Sequence, residues 1–350
     1  MTVYVVIINS RRPNLLALRH MSERVSDSVR PLIEIVARAE DESPKVAVHR
    51  VLSEVHRNRL LDQGIDFALD TRPLADRFGH SGAHEALRLL VADLGVGSFR
   101  PVIHTNEAPE NLEEVRRATE KLHTGVCLRV PRPFAFNLCD SRVLLDQLEA
   151  VGETVERTDL VLDCGYFTSV SETCTGVAGP LRHLLDIAWQ SVAVVGGSFP
   201  STDDLVKPAA PKVSRVPRRE ADLRCRISRL WSDVSYGDYG VDHPGPPPAD
   251  DKWPAPNLRY TVGRQWSLYY WPKGRSRGNK GFFELCKRLV GSSDWPGDGV
   301  GFSWGDEQIA RAACEDGGPG GSTEWKAYSL SHHLAAVVGM LHEEATCRAP

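Results

Sequence analysis

The sequence predicts a TIM-like (β/α)8 barrel with an appended carboxyl-terminal α+β module, and three observations carry this prediction. Within roughly the first 240 of the 350 residues, eight short apolar runs end at a polar residue or glycine and alternate with helix-like stretches. The runs are continuously apolar, as in parallel strands that are buried on both faces. Their spacing of about 30 residues matches the β–α–β unit, and eight such units close a sheet into a barrel.

Each apolar run defines one expected strand. In chain order, the predicted strands are Val3–Ile8, Pro31–Ile35, Ile65–Leu69, Pro101–Ile103, Gly125–Leu128, Leu160–Leu162, Val192–Val195 and Ser235–Tyr239. A segment rich in Pro, Lys and Arg, 200–219, separates the seventh run from the eighth. The alternative is an open doubly wound sheet, although the Gly-x-Gly-x-x-Gly turn that a dinucleotide fold places after its first strand is missing from this sequence.

The last third of the chain is organised differently. We predict the barrel over residues 1–242, a Pro-rich connection over 243–257, and a module over 258–350 that packs on the barrel. Leu258–Val262 and Trp266–Tyr270 flank a Gly-Arg turn and predict a hairpin. The predicted helices of the module are Gly281–Val290, Gln308–Ala313 and Leu330–Leu341.

Composition narrows the class of protein. The formal net charge is −4, so nothing in the overall charge attracts nucleic acid or anionic membranes. We expect no membrane association, because no apolar run approaches the roughly 20 residues that span a bilayer. The eight cysteines stand singly, without a Cys-x-x-Cys pair, which predicts reduced, buried thiols in a cytoplasmic protein.

Polar residues at the predicted strand ends are the candidate site, because barrel enzymes work at the carboxyl ends of their strands. The candidate catalytic residues are Glu34, Asp70, His104 and Asp163. They could act as general acid and base or hold Mg²⁺, although the metal requirement stays unknown. The candidate substrate-binding residues are Arg72, Arg129, Ser198, Arg218, Asp238, Tyr239 and Arg259. The arginines suit a phosphate, whereas Asp70 as a loop cap and a Glu34–Arg72 pair are the structural alternatives.

A second candidate is a basic aromatic surface. Between Lys212 and Arg288, Lys and Arg outnumber Asp and Glu about two to one, and Trp and Tyr residues are interleaved with them. Basic side chains that neutralise phosphates, together with aromatic rings that stack on bases, are typical of nucleotide or single-stranded nucleic-acid sites. Arginine stems packed on aromatic rings in an ordinary fold explain the same composition.

Two further motifs have structural interpretations. His332 and His333 are adjacent, so they point to different faces of a helix and cannot chelate one metal ion from that helix alone. We predict a core or helix-cap role for each. Ser303 or Asp306 is expected to cap the helix that begins near Glu307.

Short ordered motifs along nearly the entire chain resemble the beta family protein, the "beta protein" of phages and bacteria. The matching motifs are Tyr4-Val5, Leu15-x-Ala17-Leu18, Pro31-Leu32-Ile33-Glu34, Leu69-Asp70, Arg72-Pro73-Leu74, Gly197-Ser198-Phe199-Pro200, Pro217-Arg218, Tyr236-Gly237-Asp238-Tyr239, Arg259-Tyr260-Thr261, Phe302-Ser303-Trp304-Gly305-Asp306, and Trp325 with His332-His333.

The resemblance implies a barrel-like fold and an association with phages or mobile elements, and with defence against them. It implies no settled biochemical activity. Members of the family usually carry a Lys near the end of the first strand, where this sequence has Asn9. If that Lys is catalytic in the family, this chain is altered or inactive at that position.

Two functional hypotheses follow. The first is a barrel enzyme, such as a hydrolase or phosphodiesterase, that acts on a phosphorylated, nucleotide or nucleic-acid substrate. It predicts that the strand-end carboxylates and His104 line one pocket. The second is a non-catalytic binding protein, with a protein partner in a defence operon, that uses an exposed basic aromatic surface.

Overall fold

The computed structural model describes residues 4–38, 41, 43–105, 107–131, 140–201, 209–245, 255–272 and 278–346. Its strands are β1 (Tyr4–Asn9), β2 (Val29–Glu34), β3 (Ala68–Asp70), β4 (Arg100–His104), β5 (Val126–Pro131), β6 (Thr158–Tyr166), β7 (Ser191–Gly197), β8 (Lys212–Pro217), β9 (Ser235–Asp238), β10 (Asn257–Val262) and β11 (Gln265–Tyr270). Val3, expected to begin the first strand, lies outside the described residues.

Eight parallel strands close a barrel in the order β1-β2-β3-β4-β5-β6-β7-β9. Strand β9 completes the closure by pairing with β7 on one side and with β1 on the other. This confirms the predicted TIM-like barrel, with the run that begins at Ser235 as its eighth strand. An open doubly wound sheet is therefore wrong for this chain.

Helices alternate with the barrel strands. Within the described residues, the helices are α1 (Arg12–Arg19), α2 (Glu23–Ser26), α3 (Pro44–Arg57), α4 (Ala75–Leu94), α5 (Pro109–Leu122), α6 (Ser141–Val151), α7 (Val170–Leu184), α8 (Arg219–Leu230), α9 (Gly281–Val290), α10 (Trp304–Ala313) and α11 (Ser322–Thr346). Local sequence sets several of their starts. The side chains of Ser43, Asp140 and Ser169 accept hydrogen bonds from the first-turn N–H groups of α3, α6 and α7.

Alternate residues of the strands fill the barrel interior in layers, because successive side chains of a strand point to opposite faces. The middle layer is apolar and consists of Val5, Leu32, Ala68, Val102, Cys127, Val161 and Ala193. Two residues further along several of these strands come the polar residues Glu34, Asp70, His104, Arg129 and Asp163. The period of two therefore places these candidate residues on one face of the sheet.

Two residues before the middle layer, at the amino ends of the strands, lies a ring of four charges: Arg30, Asp66, Arg100 and Asp159. We call it the lower ring. Arg30 contacts Asp66 at 3.4 Å and Asp159 at 2.7 Å, and Arg100 contacts the same two carboxylates at 3.1 and 3.5 Å. Two cations thus face two anions, and the lower ring is formally neutral.

By contacts between Cα atoms the chain forms two units. The first, which holds the barrel, comprises Met1–Arg11, Arg30–Gly197 and Arg219–Tyr239. The second comprises Arg12–Val29, Ser198–Arg218 and Gly240–Pro350. The predicted domain boundaries at 242 and 257 stay predictions, and most of the predicted Pro-rich connection, residues 246–254, lies outside the described part of the chain.

The second unit contains a three-stranded antiparallel sheet in the order β10-β11-β8. The predicted hairpin is confirmed as β10 and β11, which pair from Asn257 opposite Tyr270 to Val262 opposite Gln265. Strand β8 was not predicted, because its sequence has no continuous apolar run. It carries Lys, Arg and Pro at a sheet edge, where such residues are tolerated.

The predicted helices of the module are confirmed as α9, α10 and α11, the last two being longer than predicted. The expected capping is also observed, because the Ser303 side chain accepts a hydrogen bond from the Asp306 N–H at the start of α10. His332 and His333 are both buried in the core, as predicted.

Asp306 and His332 form a buried pair within the second unit. The carboxylate of Asp306 accepts hydrogen bonds from the hydroxyls of Tyr260 and Ser303. The Nδ1 atom of His332 lies 2.9 Å from Asp306, and its Nε2 lies 2.9 Å from the carbonyl oxygen of Thr261. Both ring nitrogens lie within hydrogen-bond distance of an oxygen atom, so the ring is held from both sides.

The cysteines for which the structure describes a state are free thiols: Cys127, Cys164, Cys174, Cys225, Cys286 and Cys314. Cys127, Cys164 and Cys286 are buried as predicted, whereas Cys314 is exposed. Cys139 and Cys347 lie outside the described residues. In the part of the chain that the structure describes, no helix is both long enough and apolar enough to cross a membrane.

Candidate active site at the barrel mouth

Arg129 lies at the centre of a polar group at the carboxyl ends of the barrel strands, which we call the mouth cluster: Glu34, Asp70, His104, Arg129, Asp163 and Tyr239. Its guanidinium donates to Asp163 through Nε at 2.9 Å and Nη2 at 2.7 Å. Nη1 donates to Glu34 at 2.8 Å and to Asp70 at 2.9 Å. Nη2 also makes a longer contact of 3.4 Å with the hydroxyl of Tyr239.

These contacts use all five N–H groups that a guanidinium possesses. Burial alone would lower the pKa of Arg129, but Asp163, Tyr239, Glu34 and Asp70 raise that pKa well above its ordinary value. Arg129 therefore remains a cation. Four of its donors are engaged by carboxylates and the fifth by the Tyr239 hydroxyl, so a phosphate would have to displace one of these partners, which argues against the substrate-binding role that the sequence suggested for it.

Glu34 is the most weakly held carboxylate of the mouth cluster. Its Oε1 accepts the bond from Arg129, and the described residues provide no hydrogen bond to Oε2. Burial raises the pKa of Glu34; Arg129 opposes this, and the nearby Asp70 and Asp163 add to the increase. Its side chain is 19% exposed, compared with 1% for Asp70 and 5% for Asp163.

Asp70 and His104 form a second pair in the mouth cluster. The Oδ2 atom of Asp70 lies 2.9 Å from Nε2 of His104, and Oδ1 accepts the backbone N–H of Arg72 at 2.9 Å. Although burial favours the neutral acid, His104 and Arg129 hold the pKa of Asp70 well below its ordinary value. The ionised Asp70 accepts a hydrogen bond from Nε2 of His104, and Nδ1 of the same ring receives no hydrogen bond from the described residues.

Asp163 and Tyr239 complete the cluster. The hydroxyl of Tyr239 donates to Oδ1 of Asp163 at 2.6 Å, and the backbone N–H of Gly165 donates to the same oxygen at 2.9 Å. Burial and the adjacent carboxylate of Asp163 raise the pKa of Tyr239 well above its ordinary value. Asp163 is therefore fully hydrogen-bonded from Arg129, Tyr239 and Gly165.

Strand register brings these residues together. Glu34 pairs with Asp70 across β2 and β3, and His104 pairs with Arg129 across β4 and β5. The structure thus gathers all four candidate catalytic residues, together with Arg129 and Tyr239, at one end of the barrel. Their chemical roles stay predictions.

Asp238 does not join the mouth cluster, which corrects the expectation that it lies on the same rim. It is one residue from Tyr239, so its side chain points to the opposite face of the strand. There it is buried and accepts hydrogen bonds from the hydroxyls of Tyr4 at 2.5 Å and Tyr236 at 2.7 Å. These contacts link β9 to β1 on the outer face of the barrel.

Four other predicted binding residues also lie outside the mouth cluster. Arg72 follows β3, with its side chain 44% exposed and paired with Glu107 at 2.6 Å. Ser198, Arg218 and Arg259 belong to the second unit. The Ser198 hydroxyl donates to the carbonyl oxygen of Pro217 at 3.3 Å.

The two predicted binding arginines of the second unit, Arg218 and Arg259, pack internally. Arg218 is buried, lies over the ring of Trp266 and donates to the carbonyl oxygen of Gly263 at 2.8 Å. Arg259 lies over the ring of Phe199 and donates to the carbonyl oxygen of Val241 at 2.7 Å. For these two residues the structure therefore shows arginine side chains packed on aromatic rings, as in an ordinary fold, rather than an exposed binding surface.

The lower ring is the group that sequence reasoning missed. Asp66 precedes β3, and the other three are among the first two residues of their strands, whereas the prediction considered only the carboxyl ends of the strands. The same period-two spacing would have found them. Among the described residues, no set of three or more His, Cys, Asp or Glu side chains is arranged to hold a metal ion. At the mouth, Arg129 occupies the position between the carboxylates.

Comparison with known proteins gives one family. Residues 4–339 match the family described as Beta protein. A search of curated proteins finds none that matches this chain. Because the family match extends from the first barrel strand to the last helix, the chain belongs to the Beta protein family.

Proposed function

We propose that the barrel is an enzyme that uses Glu34 and His104 as its general acid and base. One observation carries the proposal: each of these titratable side chains is held through a single atom and keeps a second heteroatom without a hydrogen bond from the described residues. Arg129 holds Oε1 of Glu34, and Asp70 holds Nε2 of His104. With 19% and 12% exposure, they are also the more accessible side chains of the cluster.

The roles follow from the environments. Because its pKa is raised, Glu34 keeps its proton at a higher pH than an ordinary glutamate and is suited to donate it. His104 is oriented by Asp70 and presents Nδ1 as a base, in the way that a carboxylate orients a catalytic histidine. Arg129, Asp163 and Tyr239 are positioning residues. Hydrolysis or group transfer with proton exchange is the reaction class that such a pair supports.

A phosphorylated, nucleotide or nucleic-acid substrate stays a prediction, and the described contacts of Arg129, Arg218 and Arg259 give it no support. The association with phages, mobile elements and defence also stays a prediction. The alternative of a binding protein depended on an exposed basic aromatic surface. Arg218 and Arg259 pack on aromatic rings inside the second unit and give that alternative no support, whereas Trp253, Arg275 and Arg277 of the same predicted surface lie outside the described residues.

The proposal is tested by incubating the purified full-length protein with a bacterial small-molecule extract and following every compound by mass spectrometry. We expect the wild type to convert at least one compound. Glu34→Gln and His104→Asn should each slow that conversion by about 10²–10⁴-fold, the usual contribution of a general acid or base.

Asp66→Asn is the matched control, since it replaces a carboxylate by an amide in the lower ring of the same barrel. It should convert the same compound at close to the wild-type rate. A wild type that converts nothing, or a folded Glu34→Gln variant that is as active as the wild type, contradicts the proposal.

A further inference from the structure

The backbone at the ends of β2 and β3 is held by the preceding strand. The N–H of Ser10, which follows β1, donates to the carbonyl oxygen of Glu34 at 2.8 Å. The N–H of Ile35, which follows β2, donates to the carbonyl oxygen of Asp70 at 2.8 Å. Glu34 and Asp70 are therefore each fixed by a backbone hydrogen bond from the neighbouring strand.

The end of β4, which carries His104, is built differently. The register between β3 and β4 ends at Leu69 opposite Pro101, before His104 is reached. Thr71 follows β3 directly, but the chain turns there into the short 3-10 helix Arg72–Leu74. Because a buried carbonyl oxygen requires a hydrogen-bond donor, the backbone of His104 depends on a donor from another element.

Gln147 of α6 provides this donor. Its Nε2 atom donates to the carbonyl oxygen of His104 at 3.1 Å. Resting on the proposed function, we propose that Gln147 is a positioning residue that holds the end of β4, so that His104 stays aligned with Asp70 for proton transfer.

The surroundings of Gln147 support this role. The buried residues of α6 are Leu144, Gln147, Leu148 and Val151, so the amide lies on an otherwise apolar face. Gln147 is 6% exposed, and its Oε1 is buried without a hydrogen bond from the described residues. A buried acceptor without a partner costs at least as much as one neutral hydrogen bond contributes. Stability alone therefore does not explain an amide at this position.

The position of the His104 backbone determines where its imidazole lies. The ring is held by one contact, from Nε2 to Oδ2 of Asp70 at 2.9 Å. A shift of the strand end would change this distance and the direction of Nδ1, which the proposed function uses as the base. Misplacement of a catalytic group by about 1 Å can cost about 100-fold in rate. Loss of the Gln147 hydrogen bond should therefore lower kcat.

Gln147→Leu removes the donor and suits the apolar face of α6. For the compound converted in the extract assay, kcat should fall by about tenfold to about 100-fold, with KM within about twofold of the wild type. The midpoint of urea unfolding should stay close to that of the wild type, because removal of a buried oxygen without a partner offsets the lost hydrogen bond.

Gln147→Glu places a titratable donor at the same position. A protonated Glu can donate to the carbonyl oxygen of His104, whereas its carboxylate can only accept hydrogen bonds. The rate of this variant divided by that of the wild type should be highest near about pH 5 and fall towards about pH 9, as the buried acid ionises. The same ratio for Gln147→Leu should not change with pH. A purely structural role would give both variants the same pH dependence.

Asn58→Asp is the matched control. Asn58 is also buried, and its amide donates to a backbone carbonyl oxygen, that of Glu54 in α3, at 2.7 Å. This variant should keep the wild-type kcat and pH dependence. A second readout needs no substrate: the ¹⁵N chemical shift of the His104 imidazole, assigned by its loss in His104→Asn. This shift should change in Gln147→Leu and stay at its wild-type value in Asn58→Asp.

The inference is overturned if Gln147→Leu keeps the wild-type kcat or the wild-type His104 shift. It is also overturned if the Glu and Leu variants respond to pH in the same way. In each of these cases, a wild-type activity that is lost in Glu34→Gln and His104→Asn leaves the acid–base function standing. If the wild type converts no compound, the proposed function fails, and the inference fails with it.

Discussion

Arg129 donates a single hydrogen bond to Glu34, at 2.8 Å from Nη1 to Oε1, whereas it donates two to Asp163. The unequal sharing of one guanidinium separates the two carboxylates by role. Asp163 is fixed and fully bonded, and Glu34 keeps a free oxygen and a raised pKa. The response of Glu34 to changes of pH and of nearby charge therefore tests the arrangement of the mouth cluster most directly.

Glu34→Gln should make the protein more stable than the wild type, and this difference in the free energy of unfolding should grow as the pH rises. Because the pKa of Glu34 is raised on folding, the folded protein holds its proton more tightly than the unfolded chain does. The free energy of unfolding therefore falls as the pH rises from the ordinary pKa through the raised one. Gln resembles the protonated acid and escapes this loss.

Urea unfolding of both proteins across about pH 4 to about pH 8 measures the effect. The advantage of Glu34→Gln over the wild type should grow with pH, as expected where a functional site is built at the expense of stability. An advantage that is constant or shrinks with pH would be incompatible with a raised pKa.

Arg129→Met should strongly destabilise the barrel. It removes the guanidinium shared by Glu34, Asp70 and Asp163 and leaves buried carboxylates without their cation. Breaking a buried ion pair in this way costs about 3–5 kcal/mol. Arg129→Lys keeps the charge but has three donors instead of five, so its loss should be smaller. Urea unfolding at neutral pH compares the free energies of unfolding of the two variants. A Met variant as stable as the wild type would show that the hydrogen bonds of Arg129 contribute nothing to stability.

Gly237→Ala should disturb the closure of the barrel at β9. A Cβ at this position would lie 2.4 Å from Cγ2 of Val195 and 2.7 Å from the carbonyl oxygen of Val5, on the two neighbouring strands. Overpacking of this kind costs about 1–3 kcal/mol. Gly339→Ala in α11 is the control, because its Cβ would meet nothing within 4 Å and alanine favours a helix by about 1 kcal/mol. Thermal unfolding should move in opposite directions for the two variants, and a shift of the same sign in both would argue against the close packing at Gly237.

Asp306→Asn should destabilise the second unit. Its carboxylate lies 2.9 Å from Nδ1 of the buried His332, whose other nitrogen donates to the carbonyl oxygen of Thr261. Asn replaces one acceptor oxygen by an amide N–H₂, so a buried hydrogen-bond donor of Tyr260, Ser303 or His332 loses its acceptor, at a cost of about 1–3 kcal/mol. Asp316→Asn, an exposed residue paired with Arg311, should change stability by no more than about 0.5 kcal/mol. Urea unfolding at neutral pH compares the free energies of unfolding of the two variants. Equal values would contradict a stabilising role of the buried Asp306–His332 pair.

Much of the barrel could be predicted from local sequence, because its strands are buried on both faces and read as uninterrupted apolar runs. The residues at the ends of those runs could be named for the same reason. Asp238 shows the limit of this reasoning, since it and Tyr239 were assigned to the same rim although adjacent residues of a strand face opposite sides. Strand β8 shows another limit: its exposed, charged sequence becomes a strand because β11 provides hydrogen-bond partners.

The sequence by itself determined the number and order of the barrel strands, the polar residues at their ends, and membership of a family. Only the tertiary structure decided that one arginine serves three carboxylates, that Glu34 keeps a free oxygen, and that Arg218 and Arg259 pack inside the second unit. The formation of a strand, and the face of the strand on which each side chain lies, depend on neighbours in the chain. Ion pairing depends instead on which distant strands the barrel brings side by side, and on how many charges then share one small space.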